Sequence, residues 1–80
     1  MIVLDTREFD HPVPLEKAVA AFRTLPPSEV IHMIHRREPI PLFEILTRNG
    51  GLYRSTQDDA GIWHIFITRD PTLSLEDYHV

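Results

Sequence analysis

The sequence predicts a two-layer α/β sandwich of order βαβαββ, and three observations lead there. Short β-biased apolar runs alternate with two stretches of helical period. Each helical stretch opens on a Pro-x-Pro, Pro12-Val13-Pro14 and Pro39-Ile40-Pro41. The last two apolar runs are separated by Asp58-Asp59-Ala60-Gly61, which is hairpin-turn chemistry.

Ile2-Val3-Leu4-Asp5 reads as the first strand, and Thr6 to His11 as a polar loop broken only by Phe9. Proline suits a first helical turn, because its φ is preset and its missing N–H would have been unpaired there. Leu15, Ala18, Val19, Phe22 and Leu25 then repeat at i, i+3, i+4, i+7 and i+10, one face of a helix. Pro26-Pro27 ends it, since the residue before a proline is pushed out of the α region. Glu29 to His35 reads as the second strand and Arg36-Arg37-Glu38 as a charged loop. The second helix carries Leu42, Ile45 and Leu46, with Phe43 on its flank, and stops at Asn49-Gly50-Gly51. Leu52 to Thr56 and Ile62 to Thr68 are the third and fourth strands, and Pro71 ends the last. Residues 1–70 are expected to form one domain and 71–80 a C-terminal tail.

Strands two and four are the most apolar and belong in the centre. A right-handed crossover through the first helix sets strand one parallel beside strand two. Strands three and four form the hairpin. The order that satisfies these conditions is 1-2-4-3 with strand four antiparallel, both helices on one face and the second face uncovered. Strand alternation offers two choices of inner face, and the set free of mid-strand histidines makes the better core. That core is Leu4, Leu15, Val19, Phe22, Ile31, Met33, Leu42, Ile45, Leu46, Trp63, Ile65 and Ile67. The open face then carries Val30, His32, Ile34, Ile62, His64 and Phe66. An exposed face this apolar is a candidate interface for a partner protein or a weak homodimer.

Composition narrows function. The chain has 80 residues, seven of them proline, and no cysteine, which removes disulfides, thiolate zinc sites and cysteine nucleophiles. Its formal net charge of −4 argues against general nucleic-acid binding. No apolar run is long enough for a membrane span, and no signal-peptide pattern opens the chain, so a soluble cytoplasmic protein is expected.

Leu4-Asp5-Thr6-Arg7, followed by His11-Pro12-Val13-Pro14 at a helix start, resembles the opening of TusA/SirA-like domains. Those begin with a leucine-aspartate strand end and a Cys-Pro-x-Pro motif. The stretch Arg37-Glu38-Pro39-Ile40-Pro41-Leu42 and the closing strand Ile62-Trp63-His64-Ile65-Phe66-Ile67 are similar to a cysteine-less branch of that superfamily. The resemblance spans Val3 to Arg69. It implies the same sheet, a site at the helix N-terminus, and action through protein partners. In TusA-type proteins the motif cysteine carries a persulfide. His11 stands in its place here, and an imidazole cannot carry one.

The topology brings the C-terminal ends of the first two strands and both helix N-termini to one edge of the sheet. His11, His35, Arg36 and Arg37 gather there as a candidate site for a small anion, with Glu8, Asp10, Asp58 and Asp59 nearby. The arginines could equally be paired with Glu38 and Asp10. His11 and His35 are also weak metal candidates, but no tight ligand spacing supports them, and no cofactor is expected. His32 and His35 point to opposite faces of their strand, so they form no local chelate. His32 and His64 share a face, and the sequence does not fix whether they stand opposite each other. The leading expectation is a non-catalytic binding or adaptor domain. The alternatives are a His11-dependent carrier or enzyme, and a metal-binding or sensing domain.

Overall fold

The computed structural model describes residues 1–78. The elements are β1 (Ile2–Asp5), α1 (Val13–Arg23), β2 (Ile31–His35), α2 (Ile40–Arg48), β3 (Leu52–Gln57), β4 (Trp63–Thr68) and a 3-10 turn at Leu75–Asp77. The sheet order is β1-β2-β4-β3. β1 runs parallel to β2, while β4 is antiparallel to both β2 and β3. This is the sandwich the sequence predicts. No helix of the described residues is long and apolar enough to cross a membrane.

The core forms where both helices meet one face of the sheet. Ala18 and Phe22 from α1, with Leu25 just past its end, join Leu42, Phe43 and Leu46 from α2, over Ile31, Met33, Ile65 and Ile67. Leu4, Leu15, Val19 and Trp63 pack at its margin. Three expectations need correction. Phe43 is buried, not a flank residue: its ring stacks on Tyr53 with centroids 4.2 Å apart. Ile45 is only half-buried, beside a second cleft it lines with Val19, Phe22 and Arg69. The second strand starts at Ile31 rather than Glu29, and the fourth at Trp63 rather than Ile62. Both helices start between their paired prolines, as expected, with Pro14 and Pro41 inside the first turn.

The second face differs most from expectation. The tail does not leave the domain. It folds back so that the 3-10 turn lies against β3 and the Tyr78 ring reaches within 5.7 Å of Phe66. Phe66 and Val30 are both only 3% exposed, and His64 is buried. Of the expected interface residues, His32, Ile34 and Ile62 remain half-buried, and the most exposed apolar side chain on this face is Val3. The sequence could not show this, because the tail's Leu73, Leu75 and Tyr78 have no period that announces a packing face.

Candidate functional site

The strand edge holds a cleft of about 230 Å³ between the two helix N-termini, lined by His11, Pro14, Leu15, His35, Arg37, Glu38, Pro39, Pro41 and Leu42. Three of the four residues placed at this edge from the sequence therefore meet in it. The fourth, Arg36, turns away. Its Nη2 donates to Asp10 Oδ1 at 2.9 Å and to Phe9 O at 3.1 Å, pinning the loop before α1. Asp58 also lies elsewhere, on the opposite face of the sheet. Among the described residues, no three His, Asp or Glu side chains converge as metal ligands.

His35 ends β2 on the helix side, and its surroundings fix its protonation. Its Nδ1 lies 3.2 Å from the carbonyl oxygen of Thr6 and 3.1 Å from Thr6 Oγ1. A carbonyl can only accept, so Nδ1 carries the hydrogen. Thr6 Oγ1 spends its own hydrogen on Ile34 O at 2.9 Å. In the neutral ring Nε2 then carries the lone pair, and it has no hydrogen-bond partner among the described residues. Burial is the largest influence on this imidazole and pushes its pKa down. The Thr6 hydrogen bond pulls the other way, and the positive charges of Arg36 and Arg37 add to the lowering. His35 is thus a neutral acceptor at pH 7. Thr6 was not singled out from the sequence; the signal that could have found it is a lone threonine directly after a strand end.

The helix N-termini offer less than their number suggests. Val13 N–H donates to Asp10 O, Ile40 N–H to Glu38 O and Leu42 N–H to Pro39 O. Pro14 and Pro41 have no N–H. Neither helix has a side-chain cap. The Leu15 amide is left without an acceptor among the described residues, and Leu15 is one of the residues lining the cleft. Glu38 is held at the other wall, where its Oε2 accepts from Ser55 Oγ at 2.9 Å. His11 is exposed and follows a loop tied at both ends; the His11–Pro12 peptide is cis.

On the opposite face, register sets His32 beside Phe66 and His64 beside Ile34, so the two histidines stand diagonally rather than directly opposite. They still meet: His32 Nε2 and His64 Nδ1 are 2.8 Å apart. His64 Nε2 lies 2.8 Å from Asp58 Oδ2. The other oxygen of Asp58 accepts from the Ala60 and Ile62 amides and so shapes the hairpin turn. The His64 bond, followed by these amides, holds the Asp58 carboxyl below the usual carboxylate range.

Residues 3–69 match the family described as "Uncharacterized conserved protein (DUF2249)". No curated protein matches the chain. Among solved structures, the fold is similar to that of a SirA-like protein from Desulfitobacterium hafniense. That likeness has a TM-score of 0.77 at 19% identity and covers 88% of this chain and 99% of the other. At this identity the likeness speaks for the fold alone. The match over residues 3–69 covers most of the sequence, and the chain belongs to the DUF2249 family, built on a SirA-like fold.

Proposed function

We propose that the domain binds a small organic anion, without turning it over, in the cleft between the two helix N-termini. The observation that carries this reading is the fixed tautomer of His35, which leaves Nε2 with an unused lone pair on a residue that lines the cleft together with the cationic Arg37 and with Leu15, whose amide has no acceptor. An acceptor next to two donors selects a ligand with both an anionic group and a hydroxyl or amine hydrogen. Pro14, Leu15, Pro39, Pro41 and Leu42 supply an apolar shelf for its carbon skeleton. A 2-hydroxy acid meets all three requirements. A binding role is favoured because the hydroxyl nearest His35, that of Thr6, is fully buried and already donating to Ile34 O. It is no free nucleophile.

The test is amide chemical-shift mapping with lactate, propionate and inorganic phosphate. Lactate is expected to shift the amides of Leu15, His35, Arg37, Glu38, Ile40 and Leu42, and to bind more tightly than propionate. Arg37→Gln should weaken lactate about tenfold or more, the loss of one charge-assisted hydrogen bond. Equal affinity for lactate and propionate, or shifts confined to the other sheet face, would refute the reading.

A further inference from the structure

We propose that the Asp58–His64–His32 chain is a proton-operated catch, holding the C-terminal strap of residues 71–78 against the sheet at neutral pH and releasing it in acid. The chain has one consistent set of hydrogens. The Asp58 carboxylate only accepts, so His64 carries its hydrogen on Nε2. His64 Nδ1 is then an acceptor, and His32 must donate to it from Nε2. His32 is left with a lone pair on Nδ1. Its ring lies stacked on Phe66, centroids 4.6 Å apart, and Phe66 in turn meets Tyr78 of the strap. Proton chemistry and strap thus share one contiguous stack.

The strap is lightly held. Leu73 N–H bonds back to Asp70 O, Asp77 N–H to Ser74 O and Tyr78 N–H to Leu75 O. Among the described residues, no hydrogen bond joins residues 73–78 to the sheet. Apolar contact by Leu73, Leu75 and Tyr78, all half-buried, keeps the strap in place. A segment attached in this way opens at low free-energy cost.

Protons act in two steps. The first leaves both hydrogen bonds intact, because the chain can hold it on the ring beside the Asp58 carboxylate while the His32 hydrogen moves to Nδ1. The second leaves His32 Nε2 and His64 Nδ1 both carrying hydrogens, with no acceptor between them. It turns the 2.8 Å contact into two opposed N–H groups on cations whose ring centroids are 5.1 Å apart. The second step favours a state in which the two rings part and His32 reaches water, and the strap, packed on the Phe66 ring that His32 stacks on, is the element that can move. Burial, and next the charge of His64, already lower the His32 pKa. The other charged groups on packed elements are Asp5 at the end of β1, Arg7 just beyond it, Arg54 on β3, and Glu76 and Asp77 on the strap. Arg7 is engaged with Asp5 at 2.7 Å. Glu76 lines a groove with Arg54. Glu76 and Asp77 are exposed, where solvent and salt screen their pull on an imidazolium.

The experiment follows the Tyr78–Phe66 ring contact and the His32 ring titration by NMR in the full chain. Wild type should lose that contact between about pH 7.5 and pH 5, with the amides of β2 and β4 still protected. Each unit separating the His32 pKa in the closed and open states changes the closure constant about tenfold. His32→Phe, which keeps the stack but cannot take a proton, should stay closed at both values. Tyr78→Ala should raise the His32 titration midpoint, because the strap and the proton oppose each other reciprocally. A Tyr78 contact that persists while His32 titrates would overturn the proposal. So would an unchanged His32 midpoint in Tyr78→Ala, which decides the matter even if His32→Phe does not fold.

Discussion

Replacing Thr6 by valine removes one hydroxyl and keeps the shape of the side chain. Thr6 is fully buried, and its Oγ1 makes two contacts, to Ile34 O at 2.9 Å and to His35 Nδ1 at 3.1 Å. Neither partner is orphaned by the change. Ile34 O still accepts the Thr6 amide at 2.9 Å, and His35 Nδ1 still reaches Thr6 O. The cost is therefore two net hydrogen bonds without a stranded polar group, about 0.5–1.5 kcal/mol each. The added methyl returns about 0.8 kcal/mol by burial. A net loss of about 0.2–2 kcal/mol remains, centred near 1, and a domain of this size loses roughly 4–8 °C of Tm per kcal/mol. Thr6→Ser is the control, since it keeps both contacts and loses a methyl. Thermal unfolding followed by circular dichroism at pH 7.5, with His35 ring ¹⁵N shifts read in parallel, checks both arms. His35 should remain the Nδ1–H tautomer in both variants, held by the Thr6 carbonyl. An unchanged Tm in Thr6→Val, or a His35 ring that switches tautomer, would refute the account of how this histidine is set.

Gly51→Ala should cost about 1–3 kcal/mol as an overpacking change, because its new Cβ would sit 2.9 Å from Leu46 O and from Phe22 Cζ. A urea midpoint no lower than that of wild type would refute this close approach. Phe22→Ala should cost about 3–5 kcal/mol, and it also strips the ring under the Arg69 guanidinium, 4.3 Å away; a folded variant with wild-type Tm would mean the α1 face is misread. Acid should destabilise the fold through His32 and His35, whose folded pKa values lie below the ordinary 6.5. The unfolded chain then binds these protons more readily, so stability is full above pH 6.5 and falls as pH drops through 6.5 toward the folded values. Urea unfolding at about pH 7.5 and pH 5 reads the difference, and equal midpoints would contradict it.

Much of this arrangement is legible in the residues. The Leu15–Ala18–Val19–Phe22–Leu25 stripe, the paired prolines and the Asp58–Gly61 turn fix the elements, and the apolarity of the central strands fixes their order. Strand alternation also separates His35 from His32. What escapes is whatever depends on register or on long-range contact. That His32 and His64 bond along a diagonal follows from the β2–β4 pairing, which no local pattern specifies. Asp58 reads as a turn residue, and it is one, but only the folded hairpin shows that its second oxygen reaches His64. The partnership of Thr6 with His35 spans the first crossover, and a threonine carries no mark of the acceptor it will find. Arg36 and Arg37 are indistinguishable as neighbours in a charged loop. Folding sends one to Asp10 and the other to the cleft.

The five residues of β2 carry two of these histidines, His35 on the helix side and His32 on the other, with Ile31 and Met33 in the core on the same face as His35. A strand alternates strictly, so a slip of one residue exchanges its two faces. An insertion or deletion within Ile31–His35 would therefore empty the cleft of its acceptor, break the Asp58 chain and turn core side chains outward in one event. The same length change in the exposed Pro26-Pro27-Ser28 connection just before it would leave all three in register. Descent in length along this chain is thus expected to be confined to the connections, with β2 inherited as an indivisible unit.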